Sequence, residues 1–372
     1  MSPITPKVVV ISLHFSPAHA SHMVAYGKLL SETGFTVTYL VDERYLSMAD
    51  LAASGEVVPR HQSRNVCQAN FALALFCNSA AGNHSLAHAL HLGGTSVLYL
   101  FHEPESFWNL AGEGWKQLVR FPFSTLCSIA TLRASNGVIV PSLCALAQYK
   151  RHFLGHNQNV EVMPLLFDDE IGPVRIDAVR HQKRFFGFVG SACKSHNFEA
   201  FLGFAKFAIR SGSSIPFAIA TRDDLSACFD ADRELAAYAS EGRIRVEQGR
   251  VLSNEEINQC YLDCFCVWNV YGRSTQSGVL PRAFMAGTPV VASRIGSFPE
   301  FVHEGFTGEF VDSAGDWPGI LRASERIRGD TQAYVDRCRK MFLNTFYYKA
   351  NGKRLASILA KVDEADALLR IA

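Results

Sequence analysis

No charge of either sign predominates in this 372-residue chain: 36 basic residues meet 35 acidic ones, a formal +1 with histidine neutral. That balance speaks against bulk nucleic-acid binding, which draws on a surplus of Lys and Arg, and leaves only local patches. Ten cysteines are present but no Cys-x-x-Cys pair. Most sit inside apolar runs, as Cys77, Cys264 and Cys266 do, where the thiol acts as a small buried hydrophobe. No run reaches the roughly 18 apolar residues that span a bilayer, and the start lacks the charged front and long apolar stretch of a signal peptide. Repeats of about 20 to 50 residues are absent, which removes solenoid architectures. A reducing, cytoplasmic location is the expectation, with any membrane contact confined to the inner face.

What is present is ordered and ample. Hydrophobic residues make up 48% and charged residues 19%, and the length exceeds what one core usually supports, so two domains are expected.

The first half reads as a strand and helix series. Residues 8–13 form a continuous apolar run, the pattern of a buried parallel strand. A helix over 25–32 ends at Gly34, and 35–41 is a second strand. In such doubly wound sheets ligands gather at the carboxyl ends of strands. The first strand therefore delivers His14, Ser16, His19 and His22 into a ligand-facing loop. Strands at 71–77 and 96–101 follow, with a helix over 82–92 between them, and the second ends in His102-Glu103-Pro104-Glu105. Residues 109–134 are amphipathic, and Trp108, Trp115, Lys116, Arg120, Phe121 and Phe123 make an aromatic and basic face for which two readings stand, contact with a membrane surface or packing on its own domain. A strand at 137–141, a helix capped by Ser142 and a strand at 160–164 complete this half.

Residues 166–184 lose apolar periodicity and gather charge, Gly and Pro, so the interdomain linker is placed there. A second series opens at 185 with a strand, the Gly190-Ser191 turn, Lys194 and a helix. Strands at 215–221 and 243–247 lead to Arg222 and to Gly249-Arg250-Val251. Ser253 with Glu256 three residues on is a capping box, and 264–269 is the next strand. Ser274, Thr275, Gln276, Ser277 and Gly278 then form a polar turn that opens an apolar helix ending at Gly287, followed by the strand Val290-Val291-Ala292. A helix N-terminus carries unpaired N–H groups and a partial positive charge, which suits a phosphate. Helices to about 327, over 330–342 and over 351–371 close the chain.

Residues 274–311 resemble the C-terminal signature of the retaining, nucleotide-sugar-dependent group 1 glycosyltransferases with the GT-B fold. Gly287, Pro289, Val290, Val291, Gly296, Pro299, Glu300, Gly305 and Gly308 stand at that family's spacing. Ser274 and Arg282 stand where its two glutamates fall; a Gln-Ser-Gly-Val variant is, by resemblance, common among bacterial polysaccharide transferases. The resemblance implies an α/β GT-B fold: two Rossmann-like domains, 1–168 for the acceptor and 169–341 for the nucleotide sugar, facing across a cleft, with 342–372 crossing back. It implies retaining transfer of a sugar from a nucleotide sugar to a glycan or lipid-linked acceptor in surface-polysaccharide synthesis. No metal or other cofactor is implied.

Roles carry over by position. Gly190, Ser191 and the Ser274 to Gly278 turn would hold the donor diphosphate and sugar, with Lys194 and Arg282 as its cations. His102 would face the donor sugar, Arg222, Arg250 and Val251 the nucleoside, and the loop with His14, Ser16, His19 and His22 the acceptor side. Two rival readings stand beside this one: a GT-B partner subunit that binds nucleotide or carbohydrate without turnover, and a GT-B sugar-nucleotide epimerase.

Overall fold

The computed structural model describes residues 5–104, 115–274 and 277–369. Two all-parallel sheets carry the fold. The first contains β1 (Lys7–Ser12), β2 (Thr36–Val41), β3 (Glu56–Pro59), β4 (Leu73–Phe76), β5 (Ser96–Leu100), β6 (Gly137–Val140) and β7 (Val160–Val162), in the order β3-β2-β1-β4-β5-β6-β7. The second contains β8 (Phe185–Val189), β9 (Phe217–Ala220), β10 (Ile244–Glu247), β11 (Cys264–Asn269), β12 (Val290–Ser293) and β13 (Gly308–Val311), in the order β10-β9-β8-β11-β12-β13. Both orders reverse direction once, between β1 and β4 and between β8 and β11. Open α/β sheets bind ligands at such a switch point.

The strands are apolar because helices cover both faces. Val8, Val9, Val10 and Ile11 of β1 and all of β11 are buried, so alternation with polar residues is lost. The helix Phe198–Arg210 buries Phe198, Phe201, Leu202, Phe204, Ala205 and Ala208, one stripe at helical spacing. Phe201 and Phe204 pack with Phe186 and Trp268 at centroid distances of 5.3 to 6.3 Å. Each such edge or offset pair adds about 0.5–1.5 kcal/mol beyond area burial. The expected caps form: Ser142 Oγ accepts from Ala145 N, and Ser253 with Glu256 makes the reciprocal capping box.

Two compact units result, Met1–Asp168 with Phe346–Ala372, and Asp169–Thr345. Within the first, departing and returning segments pair: Phe167 N donates to Phe346 O (2.9 Å) and Tyr348 N to Phe167 O (3.0 Å). The final helix, Gly352–Leu369, buries Leu355, Ile358 and Val362, and Val362 packs against Gly137 of β6.

Two local expectations are corrected. The first helix spans Pro17–Glu32, not 25–32, because extended Ser16 and Pro17 start it early; His19 and His22 are helical, not in a loop. The expected linker contains a helix, Gly172–Val179. It buries only Ile176, too little apolar surface to show as periodicity, and Asp169 Oδ1 accepts from Gly172 N to hold its start.

Candidate functional site

In the second unit the turns after β8 and β11 are laced together. Gly190 adopts φ +130, a region costly to residues with a Cβ, and abuts Val279. Ala192 N donates to Asp223 Oδ2 (2.7 Å), and Thr221 Oγ1 holds the same oxygen (3.1 Å) at the end of β9. The His196 ring stacks on Tyr271 with centroids 4.3 Å apart, its Nδ1–H donates to Ser191 O, and its carbonyl accepts from Trp268 Nε1. Burial lowers the His196 imidazole from its ordinary value, so the ring is neutral and Nδ1 carries the donated proton. Asn197 Nδ2 donates to Val270 O (2.8 Å) and Gly272 N to Ser195 O (2.9 Å). The sequence reading assigned no role to Asp223, His196, Asn197 or Tyr271; the available signal was that polar residues follow each strand end.

The expected donor residues fall into distinct settings. Ser274 is partly exposed, Thr275 and Gln276 lie outside the described residues, and Ser277 Oγ accepts from Val279 N (3.2 Å). Gly278 precedes the helix Val279–Met285, only seven residues long. Lys194 is exposed on the short helical turn Lys194–His196 and forms no ion pair with a described residue. Arg222, just past β9, is also exposed. Arg250 pairs with Glu256 (2.6 Å) beside the capping box, and Val251 is 61% exposed.

Arg282 is 8% exposed and turned to its own unit. It donates to Asn258 Oδ1 (3.2 Å) and Asn254 Oδ1 (3.0 Å) and lies 3.6 Å from Glu170. Its charge therefore meets a partly buried carboxylate. Of Asp230-Ala231-Asp232, a metal-diphosphate spacing, Asp232 is committed otherwise. Asp232 caps the helix Arg233–Ser240 and pairs with Lys206 (2.6 Å). Among the described residues no group of three or more His, Cys, Asp or Glu is placed to hold a metal ion.

In the first unit Tyr45 and Asn78 fix the loop after β1. Tyr45 OH accepts from Ser16 N and donates to Ser16 O, each at 2.8 Å, and Asn78 Nδ2 donates to Ser12 Oγ and His14 O. His14 is exposed and Ser16 partly so. His19, His22 and His102 meet as a cluster, with Nε2–H of His102 donating to Cys77 O (2.6 Å) at the end of β4. Burial pushes His19 down to about 4 and His102 well below its ordinary value; neighbouring histidines add to both shifts. A groove of about 1670 Å³ is lined in part by His14, Arg60, Arg64, Ser79, Tyr99 and Phe123.

Of the aromatic and basic face, Trp108 and the side chains of Trp115, Lys116, Arg120 and Phe121 lie outside the described residues. Phe123 and Leu126, on the helix Trp115–Arg133, are exposed. No described helix is long and apolar enough to cross a membrane.

Solved structures resemble this chain nearly end to end. HepE of Anabaena in complex with UDP is 14% identical over 95% of this chain and 99% of that one, with a TM-score of 0.71. Sucrose-phosphate synthase from Thermosynechococcus elongatus is 15% identical over 97% and 100%, with a TM-score of 0.69. AviGT4, a glycosyltransferase involved in avilamycin A biosynthesis, is 15% identical over 97% and 98%, with a TM-score of 0.60. Neither a family model nor a curated protein sequence matches the chain. The likeness shows the fold, which is GT-B.

Proposed function

We propose that the protein is a glycosyltransferase that moves a sugar from a nucleotide-sugar donor to a glycan or glycolipid acceptor with retention of anomeric configuration. The observation that carries this reading is the β8/β11 switch point, where the Gly190 turn abuts the Val279 helix start and exposed Lys194 follows. The reading is supported by the fold shared with HepE, a protein solved with UDP and with UDP-glucose.

Breaking the anomeric C–O bond passes through a cation-like state and leaves charge on the diphosphate, so stabilising that leaving group is the main demand on the protein. We assign this to backbone N–H groups of the Ser274 to Gly278 turn, with Gly190, Ser191 and Lys194. Arg282 acts as the anchor that holds the Val279 helix start against Asn254, Asn258 and Glu170. Arg222, Arg250 and Val251 are assigned to the nucleoside. His102 is assigned to a donor-sugar hydroxyl, and the groove by His14 and Ser16 to the acceptor. The reaction as assigned uses no metal. Surface-polysaccharide synthesis at the inner membrane face is the setting the signature variant suggests.

The test is incubation with UDP-, GDP- and ADP-sugars, reading binding, slow hydrolysis and, by NMR, the anomeric configuration of any product. Binding and turnover reduced by Lys194→Ala support the reading; absence of nucleotide-sugar binding sinks it. A second reading, a partner subunit that binds without turnover, is favoured by one observation: the side chain at 282 is spent on its own unit. Binding with no hydrolysis, indifferent to Lys194→Ala, would select it.

A further inference from the structure

His19 and His22 sit one turn apart on the helix Pro17–Glu32, and both rings meet His102. His19 and His102 lie nearly flat on each other, with centroids 5.0 Å apart and planes 14° from parallel. His22 is 6.0 Å from His102 and meets Phe167 edge-on at 4.4 Å. Hydrogen bonds to carbonyls fix two tautomers, because a carbonyl oxygen only accepts. His102 carries its proton on Nε2, given to Cys77 O, and His22 carries one on Nδ1, given to Leu166 O (3.0 Å). A neutral His102 therefore has a bare Nδ1, which can accept and cannot donate. Part of the His102 surface remains open to a ligand. His19 Nδ1 is itself buried with no hydrogen-bond partner among the described residues.

Among the described residues, burial, His19 and His22 oppose a positive charge on this ring, while the Cys77 carbonyl that accepts from Nε2–H favours one. His19 and His22 come from the helix and the Cys77 carbonyl from just past β4, while His14, on the loop before the helix, acts on His19. Glu103, next along the chain, is exposed.

We propose that His19 is the positioning residue for His102: stacked flat on the ring, it covers one face and holds it in the orientation in which Nε2–H is given to Cys77 O and the bare Nδ1 is presented to a ligand hydroxyl. The ligand's identity as a sugar rests on the glycosyltransferase reading; the state of the imidazoles does not.

Histidine NMR on the free full-length protein, titrated from roughly pH 4 to 8 around the ordinary imidazole value, tests it without any ligand. The wild type should show His102 as the Nε2–H tautomer throughout its neutral range. His19→Phe keeps a ring but removes one imidazole, and should raise the His102 midpoint slightly. His19→Ala removes the cover as well, and should bring it close to the ordinary 6.5. The acid limb of donor hydrolysis should move in the same order. The preference for a nucleotide hexose over a nucleotide uronic acid at acidic pH should narrow by about tenfold in His19→Ala, roughly 1.4 kcal/mol. A His102 midpoint unchanged in a folded His19→Ala protein, or an Nδ1–H tautomer in the wild type, overturns the proposal. If His19→Ala does not fold, the His19→Phe titration carries the comparison. Shifted midpoints with no turnover of any nucleotide sugar would leave His19 assigned and remove the transferase reading.

Discussion

The carbonyl oxygen of Ser274 lies 1.5 Å from where a Cβ on Gly296 would stand. The two turns after β11 and β12 thus meet backbone to backbone, with Gly296 at φ +55. This close approach leaves no room for a Cβ at 296, which accounts for the glycine there. The packing needs the main chain at 274 and nothing from its side chain.

Gly296→Ala should therefore push the 274 turn out of place. The left-handed backbone alone costs a residue with a Cβ about 1–2 kcal/mol, before the clash is relieved. The expected result is a lower melting temperature and a larger loss in nucleotide-sugar affinity than in stability, read by thermal unfolding and calorimetry. Wild-type affinity in the variant would show that the turn does not touch the donor.

Lys194→Ala should leave the fold intact, since the side chain is exposed and unpaired among the described residues, so stability should move by less than about 0.5 kcal/mol. Donor turnover should fall on the order of 10²- to 10³-fold by analogy with oxyanion donors. Steady-state kinetics beside a melting curve separate the two effects.

Arg282→Met should behave in the opposite way. It leaves Glu170, Asn254 and Asn258 without their guanidinium, and breaking a buried pair costs about 3–5 kcal/mol, an upper bound here because Glu170 is partly exposed. A large drop in the urea midpoint should accompany any loss of activity. A fully stable but inactive Arg282→Met protein would instead put this residue on the diphosphate.

Lys183 gives a pH signature. Its buried ammonium donates to Thr288 Oγ1 (2.7 Å) and to the carbonyls of Tyr261, Leu262 and Cys264, with no carboxylate among these partners. Burial lowers it to about 8 from 10.5. Between those values the unfolded chain holds the proton more tightly than the folded one, so this group's contribution to stability rises with pH from about 8 to 10.5. The slope is at most about 1.4 kcal/mol per pH unit. Lys183→Met should abolish that rise in urea unfolding measured across alkaline pH, while the orphaned carbonyls lower stability by about 1–3 kcal/mol at neutral pH.

Local patterns carried the fold far. Continuous apolar runs at β1, β5, β8 and β11 announce strands buried on both faces, and Ser142, Ser253 and Glu256 mark helix starts by chemistry confined to four residues. The helix Gly172–Val179 and the first two turns of Pro17–Glu32 were not legible. The former buries a single large side chain, and the latter is lined with histidines that look solvated until their partners are known.

The candidate site divides along the same line. The sequence by itself determined which glycines turn the chain after β8 and β12, and that polar residues follow those strands, because turn chemistry and strand burial are local. Only the tertiary structure decided what the side chains do. Arg282 reads as a cation on an exposed helix start, yet Glu170, Asn254 and Asn258 converge on it from distant segments. His102 reads as a lone histidine, yet His19, His22 and the Cys77 carbonyl set its proton and its charge. Charge state and hydrogen-bond role depend on burial and on partners scores of residues away, and no local pattern encodes those distances.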